Sequence, residues 1–370
     1  MPESKPSDTP RHGPPAFRRP GGFARRRRSS AERNCRLAFV FPGQGSQFVG
    51  MGQKLAQAYP GAAQLFAQAD DLLGFSLSRL CFEGPHDELR RTANAQPALL
   101  TCSLAVLQVL EENGLRPDIV AGHSLGEFSA WVAAGVLDFA AALLLVRKRG
   151  ELMEQAARNH PGSMLAVLGV EPKLLRRMME RIRGGVLVIA NLNCPGQTVV
   201  SGEEAPLREL RERVLQEGAR AVPLRVSGAF HSPLMRESAE QFKQEIGRLQ
   251  ISPARIAVVT NVGARPTRAP EAVREAMAAQ MTSPVQWEDS VRKMAQYGVT
   301  TFVEVGPGEV LCGLLKRTLG ESARLLPTGE PENLQEVIAL LKQKSETLET
   351  QAQPEATAAG PAAPEVDPEH

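Results

Sequence analysis

A serine lies between two glycines at residues 122–126, where the sequence reads Gly122-His123-Ser124-Leu125-Gly126. This pattern is typical of the nucleophile elbow, a sharp turn from a strand into a helix that presents a serine hydroxyl above the edge of a sheet. An apolar run ends at Ala121 and a helical pattern follows Gly126, which is the context that the elbow requires. The residues therefore predict a nucleophile at Ser124, with a simple turn serine as the alternative.

A serine nucleophile needs a base, and histidine is the usual one. Of the six histidines, His231 is the best candidate, because it lies in SGAFHSPLM, on a loop that returns to the larger predicted unit. His123 is adjacent to Ser124, and neighbouring side chains on a sharp turn point apart. The other histidines lie in the predicted tails or in polar turns: His12, His86, His160 and His370. A loop histidine without a catalytic role is the alternative for His231.

No acidic residue is an obvious third member of the site. The later segments VVTNVGARP and QMTSPVQW contain neither Asp nor Glu. We therefore expect neutral groups to orient His231.

A second glycine-rich loop, FPGQGSQFVGMG at residues 41–52, follows the apolar run LAFVF. Gly45 and Gly50 have the spacing of a phosphate-binding loop, but Met51 lies where that motif requires lysine, and no glycine completes the dinucleotide motif. Nucleotide binding is therefore not expected. A glycine-rich turn after a buried strand can instead offer backbone N–H groups to a tetrahedral oxyanion, which acyl transfer requires.

Arg149 is predicted to lie on the buried face of a helix. In LLLVRKRGELM it is four residues from both Leu145 and Met153, whereas Arg147 and Lys148 fall off that line. A buried guanidinium needs an anionic partner, and arginine binds carboxylates through two parallel hydrogen bonds. The position favours a carboxylate-bearing acyl group as the partner. A snorkelling arginine or an internal salt bridge is the alternative.

The chain that must position these residues has 370 residues, 42% of them hydrophobic and 23% charged, which is enough for a substantial core. Its net charge of +2 is unevenly distributed. Residues 1–36 contain ten Lys and Arg against three acids, and residues 345–370 contain six acids and no Lys or Arg. We predict that both segments are disordered tails, the first basic and the second acidic.

Short apolar strands alternate with helical patterns on both sides of a smaller unit. The segments LAFVF, PDIVAGHS, IAVVTN and TFVEVG are typical of the buried strands of a parallel α/β sheet. Residues 163–226 instead predict the order β-α-β-β-α-β of a ferredoxin-like unit. The expected architecture is a large α/β domain of residues 37–162 and 227–344, interrupted by a small ferredoxin-like domain of residues 163–226.

Composition and cysteine usage exclude several other classes of protein. The five cysteines are odd in number and scattered, which argues against disulfides and against a structural zinc site, and we expect Cys102 and Cys312 in the core. We expect no membrane span of about 18 apolar residues. The Arg-rich N-terminus is interpreted as a solvated tail, with nucleic-acid binding or an organellar transit peptide as alternatives.

Six motifs taken together resemble the malonyl-CoA:acyl carrier protein transacylase family, which is also found as the acyltransferase domains of fatty-acid and polyketide synthases. They run in the family's order from about Leu37 to Leu341, as FPGQGSQ, GHSLGE, RKRGELM, GAFHSPLM, QMTSPVQW and EVGPG. The resemblance implies a large domain related to the α/β-hydrolase core, with the active site in the cleft between it and the small domain.

The resemblance also implies a ping-pong reaction. Ser124 would attack the thioester of malonyl-CoA, His231 would take and return the proton, and the backbone N–H groups of Gln44 and Leu125 would form the oxyanion hole. The thiol of the carrier protein's phosphopantetheine arm would then attack the acyl-serine. No metal and no cofactor besides these substrates is implied.

Three further roles follow from the resemblance. Arg149 would bind the malonyl carboxylate, and the backbone carbonyl of Gln280 would orient the histidine. The sequence AFH before His231 resembles malonyl-selective members of the family, so Phe230 would crowd a methyl group on the acyl chain.

Alternatives remain at the level of pathway and class. A polyketide pathway could use the same chemistry as fatty-acid synthesis, a serine hydrolase would share the elbow, and an inactive scaffold would bind carrier protein only. We expect a cytoplasmic monomer that binds neither nucleic acid nor membrane. An organellar matrix is the alternative if the N-terminus is a transit peptide.

Overall fold

The computed structural model describes the secondary structure of residues 36–351 and the side chains of residues 37–343. Residues 1–35 and 352–370 lie outside the described residues, and with them most of the predicted acidic tail and all of the predicted basic tail except Arg36, which instead begins β1. The strands in chain order are β1 (Arg36–Phe41), β2 (Ile119–Gly122), β3 (Ser163–Leu168), β4 (Leu187–Cys194), β5 (Gln197–Gly202), β6 (Arg220–Pro223), β7 (Ala257–Val259), β8 (Pro266–Thr267), β9 (Val285–Gln286), β10 (Val299–Glu304) and β11 (Arg324–Pro327).

The helices alternate with these strands along most of the chain. In chain order they are α1 (Gln53–Ala58), α2 (Pro60–Leu73), α3 (Leu77–Glu83), α4 (His86–Arg90), α5 (Thr92–Glu112), α6 (Gly126–Ala133), α7 (Phe139–Asn159), α8 (Pro172–Glu180), α9 (Glu204–Gln216), α10 (Arg236–Gly247), α11 (Pro270–Ala279), α12 (Trp287–Gln296), α13 (Val310–Leu319) and α14 (Pro331–Gln351).

A mostly parallel sheet of six strands forms the larger part of the fold, in the order β11-β10-β1-β2-β7-β8. Only the β7–β8 pair is antiparallel. Strands β1 and β2 are adjacent and parallel, with Phe41 opposite Gly122. Their carboxyl ends therefore meet at one sheet edge, and the glycine-rich loop after β1 lies beside the serine turn after β2. The expectation of a parallel α/β sheet is confirmed.

Helices cover both faces of this sheet, which explains the continuous apolar character of its strands. Side chains alternate between the two faces of a strand. Accordingly Phe39 and Phe41 of β1 join one hydrophobic cluster, and Ala38 and Val40 join another. A strand buried on both faces is a rigid base for the turn that follows it.

One core helix corrects an expectation from the sequence. Helix α5 is long and apolar enough to span a membrane by length and composition, although we expected no such segment. Within the protein, 89% of its apolar window is buried. Its hydropathy thus reflects its position in the core, between α2 and α7 among others.

A second, smaller sheet has the order β6-β3-β5-β4-β9. Its first four strands and helices α8 and α9 have the predicted order β-α-β-β-α-β, and their strand pairs are antiparallel. The fifth strand, β9, comes from the later part of the chain and pairs in parallel with β4 through Asn191 and Val285. This pairing connects the two parts of the fold. We retain the division at residues 162 and 227 as a proposal.

Two local expectations need correction. Helix α14 continues to Gln351, although the acidic tail was predicted to begin at residue 345. Cys312, in the first turn of α13, is only partly buried, unlike Cys102. Among the described residues the cysteines are free, and no cluster of three or more metal-ligating side chains is present.

Candidate active site

Ser124 lies in a strained turn between β2 and α6. Its φ is +50°, in the left-handed region that a residue with a side chain rarely adopts. A Cβ atom on Gly122 would overlap the backbone of Gly126, and one on Gly126 would overlap the carbonyl group of Phe41. Both glycines are therefore required by close backbone approach.

The hydroxyl of Ser124 meets His231 across this turn. Its Oγ is 2.8 Å from Nε2 of His231, which is 4% exposed. The other ring nitrogen, Nδ1, lies 2.9 Å from the carbonyl oxygen of Gln280 and 3.1 Å from that of Ser283. Because a carbonyl only accepts hydrogen bonds, Nδ1 must be the protonated nitrogen, and Nε2 is left to accept the serine proton.

The environment of His231 keeps the imidazole neutral. Burial, together with the positive charge of Arg149, lowers the pKa of His231 to about 3, although the two carbonyl hydrogen bonds act in the opposite direction. The φ of His231 is +56°, so both members of the pair have left-handed backbone. A neutral imidazole beside a hydroxyl is the resting state that a general base requires.

Arg149 is the third side chain at this point, on the inner face of α7. It is 1% exposed, and its Nη2 lies 3.3 Å from Oγ of Ser124 and 2.9 Å from Oε1 of Gln280. Its Nη1 donates to Oε1 of Gln96 at 2.8 Å. Burial lowers the pKa of Arg149 to about 10, against the nearby charge of Glu127, so the guanidinium stays charged at neutral pH.

No carboxylate of the described residues forms a salt bridge with Arg149, and its Nε has no hydrogen-bond partner among them. The partners that it does have are neutral oxygens, which compensate a buried charge only in part. The internal salt bridge considered from the sequence is therefore absent within this part of the chain. Glu127 acts on the guanidinium only through its nearby charge, so a carboxylate ligand would supply the direct ion-pair partner that Arg149 lacks within the described residues.

Gln280 contacts three members of the site. Besides its carbonyl contact with His231 and its side-chain contact with Arg149, its Nε2 donates to the backbone carbonyl of Ser124 at 3.1 Å. The family resemblance implies a role only for the backbone carbonyl of Gln280. The side-chain contacts place it between the arginine and the serine turn.

The loop after β1 packs directly against the serine turn. A Cβ atom on Gly43 would overlap the carbonyl oxygen of His123. The backbone N–H groups of Gln44 and Leu125, one from each loop, donate no hydrogen bond outside regular secondary structure within the described part of the chain. The side chain of Gln44 donates to Thr92 at 3.3 Å. Two such N–H groups on adjacent loops are available as donors, and their role as an oxyanion hole stays a prediction.

His123 does not contact the serine hydroxyl. Its Nε2 lies 2.9 Å from Oδ1 of Asn193 at the end of β4, and its ring lies edge-on to Trp287, with 5.6 Å between the ring centroids. Burial lowers the pKa of His123. This histidine therefore connects the turn to the smaller sheet, and it is not positioned to take the serine proton.

Phe230 precedes His231 and belongs to the main hydrophobic cluster, at 5% exposure. Its effect on a methyl-bearing acyl group stays a prediction.

Sequence reasoning missed three polar residues around the site. The side-chain Oδ1 of Asn261 accepts a hydrogen bond from the backbone N–H of Ser124 at 2.7 Å, and Oε2 of Glu127 accepts one from the backbone N–H of Asn261 at 2.6 Å. The side chain of Gln96 accepts one from Arg149. Glu127 was visible within GHSLGE, and Asn261 within VVTNVG, but no spacing rule connects them to Ser124.

A strained serine on a strand-to-helix turn, paired with a neutral histidine and packed against a second glycine-rich loop, is typical of an enzyme of the serine acyl-transfer class. The sequence model of the acyl transferase domain matches residues 38–354. The chain belongs to this family, and within it to the malonyl CoA-acyl carrier protein transacylases.

Two kinds of relative support that assignment. The chain is 44% identical to the malonyl CoA-acyl carrier protein transacylase of Bacillus subtilis over 314 residues, which cover 84% of this chain and 99% of the relative. An acyl carrier protein S-malonyltransferase from Vibrio cholerae has 38% identity and a TM-score of 0.79, with 82% and 99% of the two chains covered.

A third relative is a malonyl-transacylase solved in complex with a type II PKS acyl-carrier protein. It has 37% identity and a TM-score of 0.80, and the match covers 82% of this chain and 99% of that one.

Proposed function

We propose that this protein transfers the malonyl group of malonyl-CoA to the phosphopantetheine thiol of acyl carrier protein, through a malonyl ester on Ser124, and so supplies fatty-acid synthesis. The observation that supports this most strongly is the placement of a buried guanidinium 3.3 Å from the nucleophilic oxygen. Acyl transfer alone needs no cation at that position, whereas a carboxylate-bearing acyl group does.

In the proposed first half-reaction, Nε2 of His231 takes the Ser124 proton as Oγ attacks the thioester carbon. The negative charge that develops on the carbonyl oxygen is stabilised by the backbone N–H groups of Gln44 and Leu125. As the tetrahedral intermediate collapses, the imidazolium returns the proton to the departing thiolate of coenzyme A. The carbonyls of Gln280 and Ser283 hold Nδ1–H throughout, which fixes the ring and stabilises its positive charge.

The second half-reaction repeats these steps with the carrier protein's thiol. His231 takes the thiol proton, the sulfur attacks the acyl-serine carbon, and the Ser124 oxygen leaves and is reprotonated by the same imidazolium. During both halves Arg149 would bind the malonyl carboxylate, and Gln280 would hold the guanidinium through its Oε1. Phe230 is proposed to favour malonyl over branched acyl groups.

A serine hydrolase is the class that this proposal must exclude. Hydrolysis would use the same serine and histidine, but it gives Arg149 no function beside the nucleophile. With malonyl-CoA as donor and a phosphopantetheine thiol as acceptor, we expect thioester product to form much faster than free malonate. Free malonate as the main product would contradict the proposal.

A polyketide carrier protein is a second acceptor to test. The relative solved with a type II PKS acyl-carrier protein is the observation that favours it. Comparing kcat/KM for a fatty-acid and a type II polyketide carrier protein separates the two pathways, because the chemistry at Ser124 is common to both.

We also propose that the enzyme works as a monomer in the cytoplasm and contacts neither nucleic acid nor membrane. The cytoplasmic location is supported by two of the relatives named above, which come from the bacteria Bacillus subtilis and Vibrio cholerae. The organellar alternative depends on residues 1–35, which lie outside the described residues.

The two neighbouring histidines provide a matched pair of variants. His231→Ala should slow acylation at least about 10²-fold, which is the usual contribution of a general base. His123→Ala should lower the thermal stability and disturb the geometry of the turn, because its ring contacts Asn193 and not Ser124. The dependence of the acylation rate on the ionisation of a base should remain in this variant. The measurement is the rate of coenzyme A release in single turnovers across pH. An unchanged base titration in the His231 variant would contradict its role.

The low pKa of His231 predicts the acid side of the pH profile. A base with a depressed pKa stays unprotonated until the pH falls to that value, so kcat/KM should fall only well below the ordinary histidine value of 6.5. Acetyl-CoA is the suitable donor, since it carries no carboxylate that would itself titrate. Arg149→Met removes the positive charge that helps to lower this pKa, so the acid limb for acetyl transfer should move to higher pH.

Arg147→Met is the control for that shift, because Arg147 lies two residues away on α7 and its guanidinium binds Glu151 and Asn94. We expect no change in the acid limb for this variant. Burial raises the pKa of Glu127, which contacts Asn261, to about 7. An acid limb near pH 6.5 that persists in Glu127→Gln would therefore contradict the proposed state of His231.

A further inference from the structure

Asn261 lies just beyond the end of β7, next to the serine turn, and it is fully buried. Strands β2 and β7 pair in parallel as far as Ala121 opposite Val259. Beyond this pair the chain of β2 turns towards α6, so its backbone groups can no longer follow the strand ladder. Asn261 is located where these groups would otherwise lose their partners.

The carboxamide of Asn261 replaces the missing ladder contacts. Its Oδ1 accepts the backbone N–H of Ser124 at 2.7 Å, and its Nδ2 donates to the carbonyl oxygen of Gly122 at 2.6 Å. A carboxamide has the same donor and acceptor as a peptide group. One side chain therefore hydrogen-bonds both the carbonyl of Gly122 and the N–H of Ser124, the residues on either side of His123. The orientation of the amide is fixed, because an N–H needs an acceptor and a carbonyl needs a donor.

Asn261 is itself held from two sides. Its backbone N–H donates to Oε2 of Glu127 at 2.6 Å, and its backbone carbonyl accepts from Gln286 at 3.0 Å. Glu127 lies in the first turn of α6 and is 1% exposed. The carboxylate therefore connects the helix that begins at the elbow to the residue that holds the elbow.

These contacts act on the strained part of the site. A non-glycine residue with φ near +50° persists only where its surroundings enforce that conformation. Rotation of the peptide at Ser124 would displace Oγ from Nε2 of His231. Since misplacement of a reacting group by about 1 Å can slow a reaction about 10²-fold, the hydrogen bonds at Gly122 and Ser124 affect the rate directly.

We propose that Asn261 is a positioning residue of this transferase. Its carboxamide holds Ser124 in the left-handed conformation that aligns Oγ with His231, and Glu127 holds Asn261 in place. This inference rests on the proposed function, because it concerns the same acyl-serine.

The test is the kinetics of Asn261→Ala in the full-length protein, with Thr260→Val as the matched control. Thr260 is buried beside Asn261, and its hydroxyl bonds the carbonyls of Val262 and Arg265, within its own loop. We expect Asn261→Ala to lower kcat for malonyl transfer about 10²-fold, with an unchanged KM for malonyl-CoA. The acid limb of its pH profile should also stay in place, because the surroundings of His231 are intact.

A purely structural role would have a different signature. Thr260→Val should lower the melting temperature while leaving kcat per folded molecule unchanged. If Asn261→Ala loses no more kcat per folded molecule than Thr260→Val, the inference is wrong. If Asn261→Ala does not fold, Asn261→Asp decides: it keeps the volume and the acceptor for Ser124 but loses the donor to Gly122, so kcat should again fall at constant KM, and a parent-like kcat overturns the inference.

Glu127→Gln tests the second contact. Glutamine keeps an oxygen that can accept from the backbone of Asn261, so this variant should retain far more activity than Glu127→Ala. Equal losses in the two variants would contradict the role of Glu127. Failure of the proposed function would be recognised separately, because the unaltered enzyme would then form no malonyl-Ser124.

Discussion

Ser124→Ala is expected to lower malonyl transfer by about 10⁴-fold or more, which is the scale of loss when a serine enzyme is deprived of its nucleophile. The physical reason is that His231 is then left without a hydroxyl to deprotonate, although the proposed oxyanion donors and Arg149 remain. The measurement is the initial rate of malonyl transfer from malonyl-CoA to phosphopantetheinylated carrier protein.

Ser129→Ala is the control for that loss. Ser129 is buried on α6, five residues beyond the nucleophile, at 1% exposure. Its removal should leave the rate close to that of the unaltered enzyme. A Ser124→Ala protein that still transfers malonyl at a comparable rate would show that another residue is the nucleophile.

Arg149→Ala is expected to change the choice of acyl group as well as the rate. A buried charge pair contributes on the order of 2–5 kcal/mol, judged by the effect of removing one partner. Malonyl transfer should therefore fall by roughly two to three orders of magnitude, at tenfold per about 1.4 kcal/mol. Acetyl transfer should fall less or even improve, because a neutral acyl group cannot form the ion pair with a buried guanidinium that no carboxylate of the described residues bridges.

The ratio of malonyl to acetyl transfer is the quantity to compare. Arg149→Lys should restore it only in part, because an ammonium group lacks the planar pair of donors that matches a carboxylate. Arg147→Ala removes an equal charge two residues away on α7 and should leave the ratio unchanged. If Arg149→Ala also left it unchanged, the arginine would be structural and the carboxylate would be bound elsewhere.

Much of the site can be predicted from the sequence, because certain residue types have one dominant use at certain positions. Ser124 was indicated by glycines at fixed offsets, and Arg149 by its place on the apolar line of α7. His231 followed from excluding the other histidines. The absence of an acid in the later segments agrees with a histidine held by backbone carbonyls at Gln280 and Ser283.

The rest of the site depends on backbone geometry, for which the sequence has no local signal. Any residue supplies a carbonyl, so the role of Gln280 could be given only through the family resemblance. Asn261 is separated from Ser124 by 137 residues, and only the pairing of β2 with β7 brings them together. The left-handed φ of His231 likewise has no sequence marker, since neither it nor its neighbour Ser232 is glycine.

At the level of the fold, the hydrophobic periodicity predicted which segments are helices and strands better than it predicted which strands pair. The smaller unit has the predicted order of strands and helices, but its fifth strand, β9, comes from a segment that was assigned to the larger domain. A strand of two residues, Val285 and Gln286, is too short to produce a periodic pattern. Helix α5 shows a second limit of prediction from the sequence. Hydropathy alone does not distinguish a core helix from a membrane helix.

The central claim is that malonyl passes through an ester on Ser124, and intact-protein mass spectrometry with peptide mapping tests it directly. The enzyme is mixed with malonyl-CoA in the absence of an acceptor, and phosphopantetheinylated carrier protein is then added. We predict a mass gain of one malonyl group on the peptide that contains Ser124, release of one equivalent of coenzyme A, and loss of the adduct when the carrier protein is added. An adduct on another residue, or rapid transfer without any adduct, would contradict this account.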